Sequence, residues 1–202
     1  MATDYKNEVQ KLYVAYFSRP ADVAGLNYWT GILQNNPAGY ELISHTFATS
    51  PEYQAAYGGM SNAQVVNTIY EHLFSRDAEA GGLAYWTDLL DRHIVTVDNA
   101  VRDISKAAVN QDRFAFDAKV AVAGAFSTRL DLPEEQKAYA GANNKIAIDY
   151  VANVKDLMTA AAAMDPGNID AVISKMVATP VGADGFSHVV GIADPLMPPL
   201  VM

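Results

Sequence analysis

A chain of 202 residues, 50% of them hydrophobic, is long enough to bury a core as one domain or two small ones. Its 14 lysines and arginines against 23 aspartates and glutamates give a formal net charge of -9, which repels phosphate backbones unless a local basic patch is built, and no such patch is visible along the chain. The absence of cysteine excludes disulfides, zinc thiolates and thiol chemistry, and no apolar run approaches the roughly 20 residues of a membrane helix.

The opening residues, MATDYKNEVQKLYV, lack a basic leader and an uninterrupted apolar core, so the expectation is a cytoplasmic protein or one exported without a cleaved amino-terminal signal. Val9, Leu12, Tyr13, Tyr16 and Phe17 then recur at helical spacing and predict an amphipathic helix ending at the phenylalanine. Next comes FSRPADVAGLNYWTGIL, residues 17–33, and nearly the same words return 57 residues later as FSRDAEAGGLAYWTDLL. The pairs are Tyr13 with Tyr70, Arg19 with Arg76, Gly25 with Gly82, Leu26 with Leu83, Tyr28 with Tyr85 and Trp29 with Trp86.

Each repeat predicts a second helix, opened by Asp22 in copy one and by Glu79 in copy two, where a carboxylate can accept orphan N–H groups and meet the helix dipole; Asp22 is the better cap. Leu26, Trp29 and Leu33 share one stripe of that helix, with Tyr28 beside it; Leu83, Trp86 and Leu90 repeat the stripe. Tryptophan and tyrosine in register could form a sugar platform, but at this spacing core is the stronger reading. Glycine inside a helix costs about 1 kcal/mol relative to alanine, so Gly25 and Gly82 predict a neighbouring backbone at close range. Arg19 and Arg76 are read as braces of the turn, acting on the last carbonyls and the capping acid, in preference to ligand contacts.

A third helix follows with Leu42, Ile43, Phe47 and Tyr53, restarted at Ser50-Pro51; copy two continues through Val97, Val101, Ile104 and Phe114 behind a longer joining loop, DRHIVTVDN. Beyond residue 115 the repeat stops. Phe116, Val120, Ala123, Phe126 and Leu130 mark one helix, a longer one runs over Tyr139, Ile146, Tyr150, Leu157 and Met164, and a last one carries Ile169, Val172, Ile173, Met176 and Val177. The fold expected is therefore all-α: two related three- to four-helix units near residues 5–57 and 62–115 in a domain of residues 1–115, a helical segment at 116–179 packed on it, and an extended apolar arm at 180–202. In that arm Val189, Val190, Ile192, Leu196, Met197, Leu200 and Val201 are too apolar to leave in water, and four prolines from Pro180 to Pro199 rule out helix throughout.

With FATSPEY trailing the first copy, these two segments resemble the bacterial DUF4214 family, whose pattern is a helix, a GR-x-x-D-x-x-G-L-x-Y-W turn and helix, and an apolar helix ending near S-x-E-Y. Glu79-Ala80-Gly81 departs from that pattern, and the chain has none of the glycine and aspartate nonapeptides of calcium-binding β-helices. The family is similar in outline to phycobilisome linker domains and recurs in secreted exoproteins, including S-layer proteins and calcium-dependent proteins exported by type I secretion. The resemblance implies a secreted, self-assembling structural protein of the bacterial surface, polymeric or homo-oligomeric, with calcium as an admissible ligand.

Chemistry is not apparent in the residues. His45, His72, His93 and His188 match no metal-ligand spacing, and no nucleophile elbow or phosphate loop occurs. Asp165, Asn168 and Asp170 could offer oxygens to calcium, yet Asp165 before Pro166 is first a helix cap. No catalytic residue is assigned. The expected roles are subunit contacts or export through the arm or, as the alternative, binding of lipopolysaccharide or another surface glycan through exposed tyrosines; nucleic acid is not an expected partner.

Overall fold

Helix α1 (Tyr5–Phe17) is opened by the Asp4 carboxylate, which accepts from the Asn7 N–H, and closes where Ser18 turns into the left-handed region at φ 53°. The computed structural model describes residues 4–36 and 38–180, and among these the chain is all-α, with twelve α-helices and no strand. The residues expected in the arm, from Val189 to Val201, lie outside the described residues.

Helix α2 (Val23–Asn35) is capped by Asp22, followed by α3 (Tyr40–Ala48) and α4 (Pro51–Tyr57), where the Ser50 hydroxyl accepts from Tyr53 N–H and Pro51 takes the first helical position. Copy two repeats the order with α5 (Asn62–Phe74), α6 (Ala80–Asp91) and α7 (Val97–Ala107). A capping box between Ser61 and Gln64 starts α5, and Ser75 ends it at φ 57°, matching Ser18. The joining loop to α7 does not change the register, since Val97 still stands 57 residues after Tyr40. The spacing changes in α7 itself, which has 11 residues where α3 has 9.

Helix α8 (Asn110–Arg129) then runs unbroken through residues 115 and 116. It packs against both α1 and α5, which also pack on each other, so three helices form the centre of the molecule. Their apolar series meet there: Val9, Tyr13 and Tyr16 from α1, Val66, Ile69 and Leu73 from α5, and Phe116, Val120 and Ala123 from α8 are buried in one cluster with Trp29 and Phe47. Burying a side chain of that size contributes about 1.5–3 kcal/mol.

The expected long helix from Tyr139 to Met164 is instead four pieces: α9 (Pro133–Ala138), a 3-10 turn at Gly141–Asn143, α10 (Asn144–Ala152) and α11 (Leu157–Ala163). Gly141, at φ 56°, breaks the first junction, and Asp156 capping Thr159 N–H restarts the chain at the second. Leu157 and Met164 are accordingly exposed. Helix α12 (Pro166–Ala178) starts on Asp165 and buries Ile169, Ile173 and Met176 against Phe126, Leu130 and Tyr139, with Val177 left outside; Leu42 on α3 is exposed as well.

Candidate functional site

The duplicated segment builds the same device twice. In copy one the Asp22 carboxylate accepts from Gly25 N–H at 2.7 Å and so caps α2, whereas Glu79 makes no side-chain cap on α6. The helical glycines do not admit a neighbouring backbone, as their position had implied. A Cβ on Gly25 would lie 2.1 Å from the Tyr13 hydroxyl, and one on Gly82 would lie 2.8 Å from the Tyr70 hydroxyl and 2.5 Å from the Glu79 carboxylate. Each glycine makes room for the tyrosine that precedes it in the repeat.

The arginines are braces, but their main partners lie on a later helix. Arg19 holds Glu52 of α4 in a fork, Nε to Oε1 at 2.7 Å and Nη2 to Oε2 at 2.8 Å, and donates from Nη1 to the Pro20 carbonyl at 3.0 Å; the anticipated Asp22 is 3.9 Å away. Arg76 does the same to Asp112 at 2.8 and 2.7 Å, donates to the Asp77 carbonyl, and reaches Glu79 at 2.9 Å. Each guanidinium also lies over its own repeat's rings, Arg19 at 5.1 Å from the Tyr13 centroid and Arg76 at 5.2 Å from that of Tyr70. A third fork, from Arg129 to both oxygens of Asp170, ties α8 to α12.

A further repeated contact went unread in the sequence. The Gln10 side chain accepts from Ala21 N–H at 3.0 Å, and Asn67, at the matching position, accepts from Ala78 N–H at 3.1 Å. Single polar residues on an apolar helix face are the signal that marks them. Glu52 carried a signal too, as the acid of S-x-E-Y; its counterpart Asp112 sits 60 residues on, outside the 57-residue register.

The two copies differ in what covers them. Over copy one lies Tyr139, donating to the Pro20 carbonyl at 2.7 Å with its ring 5.6 Å from the Arg19 guanidinium, while Ser127 donates to the Ala21 carbonyl at 2.6 Å. Arg19 is 2% exposed. Burial, the largest cause, works against its charge, and the Glu52 carboxylate together with Tyr139 and Tyr13 more than reverses that, so its pKa ends well above the ordinary value. Among the described residues copy two has no such lid: the Arg76 side chain is 39% exposed and that of Glu79 59%. Trp29 is buried, edge-on to Phe47, whereas Trp86 is only half-buried. Leu26 and Leu83 are half-buried, and Tyr28 and Tyr85 are exposed at 42% and 59%, so the core reading holds for Trp29 and is corrected for both tyrosines: their helix turns them to the outer edge of the stripe.

Helix α8 supplies one more buried group. Lys119 is fully buried and donates from Nζ to the Glu71 and His72 carbonyls at 3.1 and 2.6 Å, closing the end of α5. Burial first, then the charge of Lys155, pulls its pKa down to about 7. Beside it His72 shares a hydrogen bond of 2.9 Å with the Tyr57 hydroxyl, and burial, then Lys119, holds its pKa down to about 4.

The oxygens considered for calcium are already engaged, Asp165 in capping Asn168 N–H at 3.1 Å and Asp170 in the Arg129 fork. Among the described residues no group of three or more histidines and acids is placed to hold a metal ion, and no helix is long and apolar enough to cross a membrane.

Residues 44–114 match the family model of DUF4214, a domain of unknown function. The matched span runs from within α3 to the first turns of α8, so it contains the whole Arg76-to-Trp86 segment and the Glu52 helix, and the Arg19-to-Trp29 segment precedes it. No curated protein and no solved structure matches the chain.

Proposed function

We propose, on the premise that residues 44–114 form a DUF4214 domain, that this protein is a non-enzymatic structural component that assembles with copies of itself at the bacterial cell surface, as an S-layer-like lattice or filament. The observation that carries the reading is the unequal cover of the two braces. Arg19 is sealed under Tyr139, while among the described residues nothing covers the equivalent surface around Arg76, Glu79 and Tyr85. An open face next to half-buried Trp86 and Leu83 offers apolar area with a polar rim, the usual composition of a subunit contact. The apolar arm expected at 180–202 is given the same task or export in this reading.

The test is electron microscopy and sedimentation of the full chain and of a chain ending at Pro180, each with and without calcium. Ordered polymers of the full chain, lost on truncation or in the Tyr85→Ser variant, are the expected result. Monomers under every condition overturn it.

A second reading, a glycan-binding surface module, is favoured by one observation: Tyr28 and Tyr85 occupy equivalent positions and both present their rings to solvent. Soluble monomers with affinity on a glycan array, abolished by changing both tyrosines, would select it over assembly.

A further inference from the structure

Although the chain carries a net charge of -9, four of its 14 basic residues line a single cavity of about 370 Å³ between α1, α3, α7 and α8. They are Lys11, Arg102, Lys106 and Arg113, against one lining acid, Glu8. No run of basic residues announces this patch, since its members come from three helices and up to 102 residues apart. The floor is apolar, with Leu12, Val101 and Phe116 buried beneath the charges.

The charges are unevenly spent. Glu8 is engaged by Lys11 at 2.8 Å and by the Tyr40 hydroxyl. Arg113 donates to the carbonyls of Lys106 and Ala108 at the end of α7, with Asp117 at 3.7 Å. Arg102 donates from its Nε to Asp103, which is not in the lining, and neither its Nη groups nor the Lys106 ammonium has a hydrogen-bond partner among the described residues. The Arg102 side chain is 26% exposed, so its free donors sit in a recess where the water that screens a surface charge is partly excluded.

We infer that this cavity binds a phosphate monoester carried on a small ring or short chain. A monoester brings a charge of about -1.5 to -2 and three strong acceptor oxygens, which the Arg102 fork and the Lys106 ammonium can share. The volume falls at the lower end of small-molecule sites, of order 300–1,000 Å³, and leaves room for a ring on the Val101 and Phe116 floor. A nucleic acid strand is excluded as the source, since the surface charge repels a polyanion while the recess admits one phosphate. The inference does not rest on the assembly reading, which concerns the Arg76, Glu79 and Tyr85 surface of copy two, none of which lines the cavity.

Calorimetry on the full chain tests it with glucose 1-phosphate, glucose, glucuronate and inorganic phosphate, and co-sedimentation with vesicles containing phosphatidate separates a lipid-borne from a free monoester. Saturable binding of glucose 1-phosphate or of the phosphatidate vesicles, at least about tenfold weaker in the Arg102→Gln, Lys106→Gln double variant and unchanged in Lys175→Gln, is the expected result. Should the double variant fail to fold, Lys106→Gln alone serves, because Lys106 is exposed. Absence of binding by both phosphate carriers, equal binding of glucuronate, or binding insensitive to the variants overturns the proposal.

Discussion

Copies one and two carry the same arginine fork, the same left-handed serine and the same glycine under a tyrosine, yet one is sealed and the other stands in water. The difference lies in the third segment. Tyr139 and Ser127 close over Arg19, whereas copy two receives Lys119 on its helix end and nothing over Arg76 among the described residues. An equivalent arginine–carboxylate fork, to Glu52 in one copy and to Asp112 in the other, therefore sits in two dielectric settings. In the sealed one each partner is costly to lose; in the open one solvent can take its place.

The largest expected effect follows from that contrast. Glu52→Ala strands the buried Arg19 charge and should cost about 3–5 kcal/mol in urea unfolding, while Asp112→Ala, which leaves Arg76 exposed and still near Glu79, should cost about 1 kcal/mol or less. Equal losses would erase the distinction between the copies.

The next effect is a rise of stability with pH that comes from the lysine supporting copy two. Because the Lys119 pKa is lowered from 10.5 to about 7 in the folded chain, the unfolded chain binds more protons between those values, and stability should rise as pH goes from about 7 towards 10. Above 10 it should fall, since tyrosines ionise in the unfolded chain while burial, the largest cause, holds Tyr13 and Tyr57 protonated in the fold. The rise should be of the order of a few kcal/mol and should vanish in Lys119→Met, measured by chemical unfolding at fixed ionic strength.

Smaller still is Gly25→Ala, which forces a methyl against the Tyr13 hydroxyl and should cost about 1–3 kcal/mol. Gly82→Ala meets the end of the exposed Glu79 side chain, which can swing away, as well as Tyr70, and should cost less by thermal melting. Tyr139→Phe removes the hydrogen bond to the Pro20 carbonyl and the longer one, 3.5 Å, accepted from Arg19 Nη1, about 1 kcal/mol together, and has no counterpart in copy two among the described residues.

Much of this was legible in the chain. The apolar series of α1, α5 and α8 pointed inward as their spacing required, and Asp22, Ser50, Ser61 and Asp165 cap where they stand. Periodicity names the buried face of a helix but not the distant element that meets it, so the partners of Arg19 and Arg76, 33 and 36 residues on, were out of reach. Lys119 was hidden for the same reason: a lysine reads as surface until two carbonyls at the end of another helix are brought to it. The break between Tyr139 and Met164 was masked by alanines and apolar residues that fit a helix, although Gly141 and the Asp156-to-Thr159 spacing carried the signal. The basic cavity exists only where four helices meet, three of which supply its charges.

Helix α8 supplies Phe116 and Val120 to the interior shared by the copies and Phe126 to the interior of the third segment. A protease cut or a gene truncation at residue 115 would thus sever a structural rod within its first third and expose both interiors together. Melting of the whole described region should be one cooperative event, and a fragment ending there should aggregate before it folds.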